Sequence, residues 1–159
     1  MEVGDSYLVS AGVSKAPVSD FELPVLFTKV VLQGNDLELE VQLEQHFGQH
    51  DHLELTFAVV SRTGDLKLPC ETKVNFAGGF GLSYALEAPD HEKGTEGRRG
   101  DGTFKLQSYM TFEAEFTNEP APHLYVVAKL HHRSGIYALI SDSETGSNLI
   151  GLGLHFDLP

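Results

Sequence analysis

The sequence has no tryptophan and a single cysteine, Cys70, among its 159 residues. One cysteine cannot form an intramolecular disulfide, so the fold must be stable without a covalent cross-link. No stretch approaches the roughly 20 consecutive apolar residues that a membrane-spanning helix needs. The first residues lack a basic start followed by an apolar segment, so no signal peptide is expected. These absences predict a cytoplasmic protein without membrane insertion.

Basic residues are also scarce, since 11 Lys and Arg stand against 23 Asp and Glu for a net charge of −12. A chain this acidic repels phosphate backbones, and we therefore expect no nucleic acid as a partner. The charge suits cations or a basic protein partner. It is equally typical of a soluble protein in which the charge has no further role.

Apolar and polar residues alternate with a period of two along most of the chain, beginning most clearly at residues 36–44. This period predicts β-strands with one face in a core and the other in water. We therefore expect the apolar rows to point inward. These rows comprise Leu37, Leu39, Val41, Leu43, Leu53, Leu55, Phe57, Val59, Leu66, Leu68, Cys70, Val74, Phe76, Phe104, Leu106, Met110, Phe112, Ala114 and Phe116.

The turns between these rows predict roughly nine or ten strands in one all-β domain, residues 1–159. The expected fold is an antiparallel β-sandwich of the jelly-roll or Greek-key type. A closed β-barrel is the alternative. Cys70 lies on an apolar row and is expected to be buried and unreactive.

The turn between the two clearest strands, residues 45–52, is rich in histidine. Opposite residues in a hairpin share a face, so the two apolar rows require a loop of three or five residues, with Gly48 available for a positive φ. Three imidazoles are then expected together on the outer face, beside two carboxylates. Such donors suit zinc, nickel or copper, although a solvated hairpin tip explains them as well. The predicted metal ligands are His46, His50, His52, Glu44 and Glu54.

Two loops carry weaker signals. Oxygen-bearing side chains in residues 141–148 can hold calcium, although an ordinary hairpin turn also explains them. The glycine-rich segment 89–102 predicts an exposed loop that can contact a partner. The calcium candidates are Asp142, Glu144 and Asn148, and the binding-loop candidates are Arg98, Arg99 and Asp101.

The sequence contains no G-x-S-x-G elbow, Walker A loop or H-E-x-x-H pair. We therefore expect a non-enzymatic interaction module that binds another protein, or itself as a homo-oligomer, through loops or an exposed strand edge. The first alternative is a β protein that binds a glycan or a small lipophile. The second is a metal-dependent enzyme that uses the histidine cluster.

Overall fold

The computed structural model describes residues 7–24, 31–48, 51–87, 105–134 and 146–157. Eight strands account for most of these residues, and no described helix is long and apolar enough to cross a membrane. The strands are β1 (Tyr7–Pro24), β2 (Val31–Phe47), β3 (His52–Arg62), β4 (Leu66–Lys67), β5 (Thr72–Ala85), β6 (Leu106–Asn118), β7 (Leu124–Ser134) and β8 (Gly146–Phe156).

All eight strands belong to one antiparallel sheet, in the order β1-β2-β3-β5-β6-β7-β8, with the short β4 paired to β5. The sheet curls into a half-barrel, and its edge strands β1 and β8 approach each other to Cα separations within 8 Å. The predicted all-β antiparallel class is confirmed. The described residues contain fewer strands than expected, in part because residues 31–47 form one continuous strand. The alternation at residues 136–141 also predicts a strand, but these residues lie outside the described ranges.

The curl places the polar rows of the alternation inside and the apolar rows outside. Among the described residues only seven hydrophobic residues are buried, against twenty polar or charged ones. Most of the apolar residues expected in the core lie on the convex face, where Val41 is 40% exposed, Phe57 48% and Phe112 54%. Val74 is buried as expected, and Phe104 lies outside the described residues. The expectation that these rows point inward is therefore wrong, although the parity that separates the two sets is correct.

Small residues on the concave face of β5 allow this curvature. The inward positions of β5 include Gly79, Gly81 and Ser83, which add little volume to the interior. A methyl group on Gly81 would overlap the carbonyl oxygen of Phe57 on the neighbouring strand. Only glycine permits so close an approach of the two backbones, so the sheet bends tightly here with its polar face inside.

Cys70 lies in the turn between β4 and β5 and is exposed, so its predicted burial is wrong. Its backbone is left-handed, with φ 63°, and Glu71 follows with φ 59°. Two successive residues in this region reverse the chain direction and end the alternation. The apolar row read across residues 66–76 is therefore interrupted by a turn.

Candidate functional site

The hairpin of β2 and β3 brings two of the predicted histidines together. His46 pairs with His52 across a loop of five residues, and Gly48 has the anticipated positive φ of 93°. The two imidazoles stack, with ring centroids 4.2 Å apart and an interplanar angle of 12°. Both side chains are buried, because the face they share is the concave one. Their predicted position on the outer face is therefore wrong, and His50 lies outside the described residues.

Four buried side chains from three strands converge in the interior next to this pair. One donor atom of each lies within 4.8 Å of the donor atoms of the other three. His46 Nε2 lies 2.9 Å from Glu54 Oε2, and His131 Nδ1 lies 3.0 Å from Glu44 Oε2. We call this set the His–Glu cluster. Its members are Glu44 and His46 on β2, Glu54 on β3 and His131 on β7.

The polar atoms of the His–Glu cluster contact one another but make few well-aligned hydrogen bonds within the described part of the chain. The 2.9 Å contact of His46 Nε2 and the 3.0 Å contact of His131 Nδ1 both lack hydrogen-bond geometry, and so do the contacts of the Glu44 oxygens. Buried polar groups are hydrogen-bonded in the great majority of cases, so poorly aligned groups gathered at one point require an explanation. Two imidazoles and two carboxylates with ligand atoms within 4.8 Å of one another form a donor set that suits a cation.

Glu54 is the best anchored member of the cluster. Ser83 on β5 donates a hydrogen bond to Glu54 Oε1 at 2.5 Å. The other oxygen, Oε2, lies 3.5 Å from Nε of Arg133 and 3.5 Å from Nε2 of His52. These contacts fix the orientation of the carboxylate, so that it presents a defined edge to His46 and His131.

A second ionic network lies nearer the opposite end of the sheet and is centred on Arg62. Its Nε lies 2.7 Å from Glu38 Oε1, and Nη2 lies 3.1 Å from Glu113 Oε2. Lys129 Nζ lies 3.2 Å from Glu113 and 3.9 Å from Glu40. Together Arg62 and Lys129 form ion pairs with four carboxylates, those of Glu38, Glu40, Glu113 and Glu115.

A cavity of about 990 Å³ lies between the two networks and the edge strands. Its lining combines apolar residues of β1 and β8, among them Leu8, Leu149 and Leu152, with charged side chains of β2, β3, β6 and β7. Glu40 and Glu113 are among the acidic residues that line it. Acidic and apolar groups therefore share this cavity.

His131 is the site residue that the sequence prediction missed. Alternation does place it on the same strand face as Lys129, and that face is the interior. The sequence gives no sign, however, that β7 lies across the interior from the β2–β3 hairpin. Two strands, β5 and β6, separate β3 from β7 in the sheet, and only the curl brings the side chains together.

The other predicted sites are described only in small part. Asn148 lies on β8, where its Oδ1 is 2.7 Å from Nδ1 of His132, an arrangement that already uses one of its oxygen lone pairs. The calcium site and the binding loop stay predictions, because most of their residues fall outside the described ranges. Those residues are Asp142, Glu144, Arg98, Arg99 and Asp101.

No protein-family model, no curated protein and no solved structure matches this chain. The chemistry and placement of its own residues are therefore the basis for any functional proposal.

Proposed function

We propose that the convex face of the sheet lies in a lipid bilayer. The sheet would then enclose a polar interior that accepts cations. One observation carries the proposal: the sheet is apolar outside and polar inside. In the described part of the chain, twenty-four large hydrophobic residues are exposed while twenty polar or charged residues are buried. Water-soluble domains bury their large apolar side chains and rarely expose a wide apolar patch. Strands that span a bilayer alternate in the opposite sense.

The outward rows of β5 and β6, the two long strands in the middle of the sheet, are free of charge. On β5 this row runs from Phe76 to Tyr84, and on β6 it runs from Leu106 to Phe116, with Ser108 buried. Neither row contains an acidic or basic residue. A Lys or Arg on a lipid-facing strand costs about 2–4 kcal/mol at the bilayer midplane, so a charge-free row is what hydrocarbon contact requires.

The height of the apolar band also fits a bilayer. The outward row of β6 from Leu106 to Phe116 covers ten residue steps. At about 3.3 Å per residue this is about 33 Å along the strand. With the tilt of about 40° that such strands adopt, the row rises about 25 Å, which is the height of the apolar band in membrane-spanning sheets.

A second copy of the chain is the alternative occupant of the convex face, but it would cover less of this face than lipid would. The exposed apolar rows extend from β2 through β8, where Ile150 is 83% exposed and Leu152 84%. A standard interface buries about 800 Å² on each partner, which is one patch of a strongly curved surface. Fluid hydrocarbon can contact all of the rows at once. The backbone groups between neighbouring strands are paired, whereas β1 and β8 are the two edges of the sheet and do not pair with each other in the described residues.

Three functions expected from the sequence stay predictions. They are a protein-interaction module, a glycan- or lipophile-binding protein and a metal-dependent enzyme. The expected cytoplasmic location and the bilayer proposal exclude each other. Fractionation of cells that express the full chain decides between them, because an embedded sheet remains with the membranes after an alkaline carbonate wash.

Two substitutions on β6 test lipid contact directly. Phe112→Arg lies in the middle of the outward row, and Leu106→Arg, its matched control, lies at the end. With the protein folded into phosphatidylcholine vesicles, urea titration is expected to show a loss of about 2–4 kcal/mol for the first and about 0–1 kcal/mol for the second. On a water-exposed surface both changes would stay within about 0.5 kcal/mol. Equal, small effects, or recovery of the chain in the soluble fraction, would overturn the proposal.

A further inference from the structure

The donor atoms of the His–Glu cluster are spaced as ligands of one metal ion would be. Bonds of about 2.0–2.2 Å to a tetrahedral ion place its ligand atoms about 3.4 Å apart. His46 Nε2 lies 2.9 Å from Glu54 Oε2 and 3.9 Å from Glu44 Oε2, and His131 Nδ1 lies 3.0 Å from that same Glu44 oxygen. His131 approaches Glu54 with its other ring nitrogen, Nε2, at 3.5 Å, so only one of its two contacts can belong to the ligand set of a single ion. The four ligand atoms lie within 4.8 Å of one another, and binding would draw the widest pair closer together.

The burial of the cluster's side chains and their unmet hydrogen-bonding capacity favour a bound metal ion over a protonated imidazole paired with a carboxylate. The four side chains are at most 2% exposed, and the oxygens of Glu44, one of which lies 3.0 Å from His131 Nδ1, make no well-aligned hydrogen bond with any described residue. Leaving such groups unpaired in the interior costs about 1–3 kcal/mol each, and more when they are charged. A single divalent ion would satisfy all four donors at once. Imidazole nitrogen with carboxylate oxygen is a donor set that zinc accepts.

We propose that the His–Glu cluster binds one divalent transition-metal ion that ties the β2–β3 hairpin to β7 across the interior. This inference is independent of what covers the outer face. Four protein ligands leave no open position for a substrate, so the ion stabilises the curl and takes no part in a reaction. Ser83 and Arg133 hold Glu54 in place from behind, as outer-sphere contacts do in metal sites.

Zinc titration of the full chain, purified without a histidine tag and stripped with chelator, tests the site. We expect one Zn²⁺ per chain, with a dissociation constant in the micromolar range or below. Glu44→Gln and His131→Gln should each weaken binding by at least about 10–100-fold, because even outer contacts of a metal site are worth that much. His132→Ala is the matched control, since it is the next residue on β7 and contacts Asn148 instead. It should bind zinc normally.

Cobalt(II) supplies a second measurement that does not depend on the variants. A four-coordinate Co²⁺ ion in the cluster should give intense visible absorption that one equivalent of Zn²⁺ removes. Weak absorption typical of six-coordinate cobalt, absence of zinc uptake, or unchanged affinity in both Gln variants would overturn the inference. A loss of binding in His132→Ala equal to that in His131→Gln would do so too, because it would assign the ion to exposed histidines. Circular dichroism of each variant confirms that strand content is retained.

Discussion

Arg62 is the central cation of the interior ionic network near the end of β3. Its replacement by methionine removes the charge while keeping most of the side-chain volume. The guanidinium is 8% exposed and lies 2.7 Å from Glu38, 2.8 Å from Glu115 and 3.1 Å from Glu113. Arg62→Met would leave these three carboxylates facing one another with their main counter-ion removed.

The expected loss follows from these contacts. Removing one partner of a buried ion pair costs about 3–5 kcal/mol, because the other charge is left uncompensated. Lys129 lies 3.2 Å from Glu113 and relieves part of that repulsion, which favours the lower end of the range. A chain of this size has about 5–15 kcal/mol of stability in total. The midpoint of thermal unfolding should therefore fall by about 6–20 °C, at about 2–4 °C for each kcal/mol.

Urea unfolding followed by circular dichroism measures this change, in the same detergent or vesicle for every variant. Lys67→Met is the control, because Lys67 is an exposed cation on the neighbouring β4 and should cost less than about 0.5 kcal/mol. Adding Glu115→Gln to Arg62→Met should restore part of the loss, since one orphaned charge is removed. A loss below about 1 kcal/mol for Arg62→Met, or strict additivity in the double variant, would refute this account of the interior.

Two further changes test the curl and the metal site. Gly81→Ala should destabilise the fold by about 1–3 kcal/mol in the same urea assay, because its methyl group meets the Phe57 carbonyl, whereas Gly151→Ala, with open space around it, should be neutral or slightly stabilising. An equal effect at both glycines would contradict the proposed cause of the curvature. Zinc at 100 times its dissociation constant should add about 2.7 kcal/mol of stability to the natural chain and none to His131→Gln, as thermal unfolding would show. A similar gain in both would place the ion elsewhere.

Sequence alone predicted the strands and their parity but not the direction of the curl. A period of two separates two sets of side chains, and it is the same pattern whether the polar or the apolar set is enclosed. Parity allowed a loop of three or five residues, and the structure has the longer one, which pairs His46 with His52 and gives Gly48 a positive φ. The buried position of both histidines did not follow, because it depends on how all the strands close together.

The small inward residues of β5 are the signal that could have indicated the curvature. Gly79 and Gly81 interrupt the polar row of a long strand, and both carry no side chain toward the concave face. In isolation each resembles a turn or a bulge, so the sequence gives no reason to assign them to a strand that bends. The contact between His131 and the β2–β3 hairpin could not be predicted for a related reason, because it depends on the curl of the sheet across two intervening strands.

Part of the chain's negative charge lies in the interior of the curled sheet. Six of its carboxylates are buried in the described residues: Glu38, Glu40, Glu44, Glu54, Glu113 and Glu115. Three inward-facing cations accompany them: Arg62, Lys129 and Arg133. Part of the negative charge therefore lies inside and exceeds the positive charge there. With the convex face in lipid, as proposed, the low dielectric around the interior favours either protonation of a carboxylate or uptake of cations from solvent. The acidic cavity and the His–Glu cluster are the two places in the described interior where such cations would be accommodated.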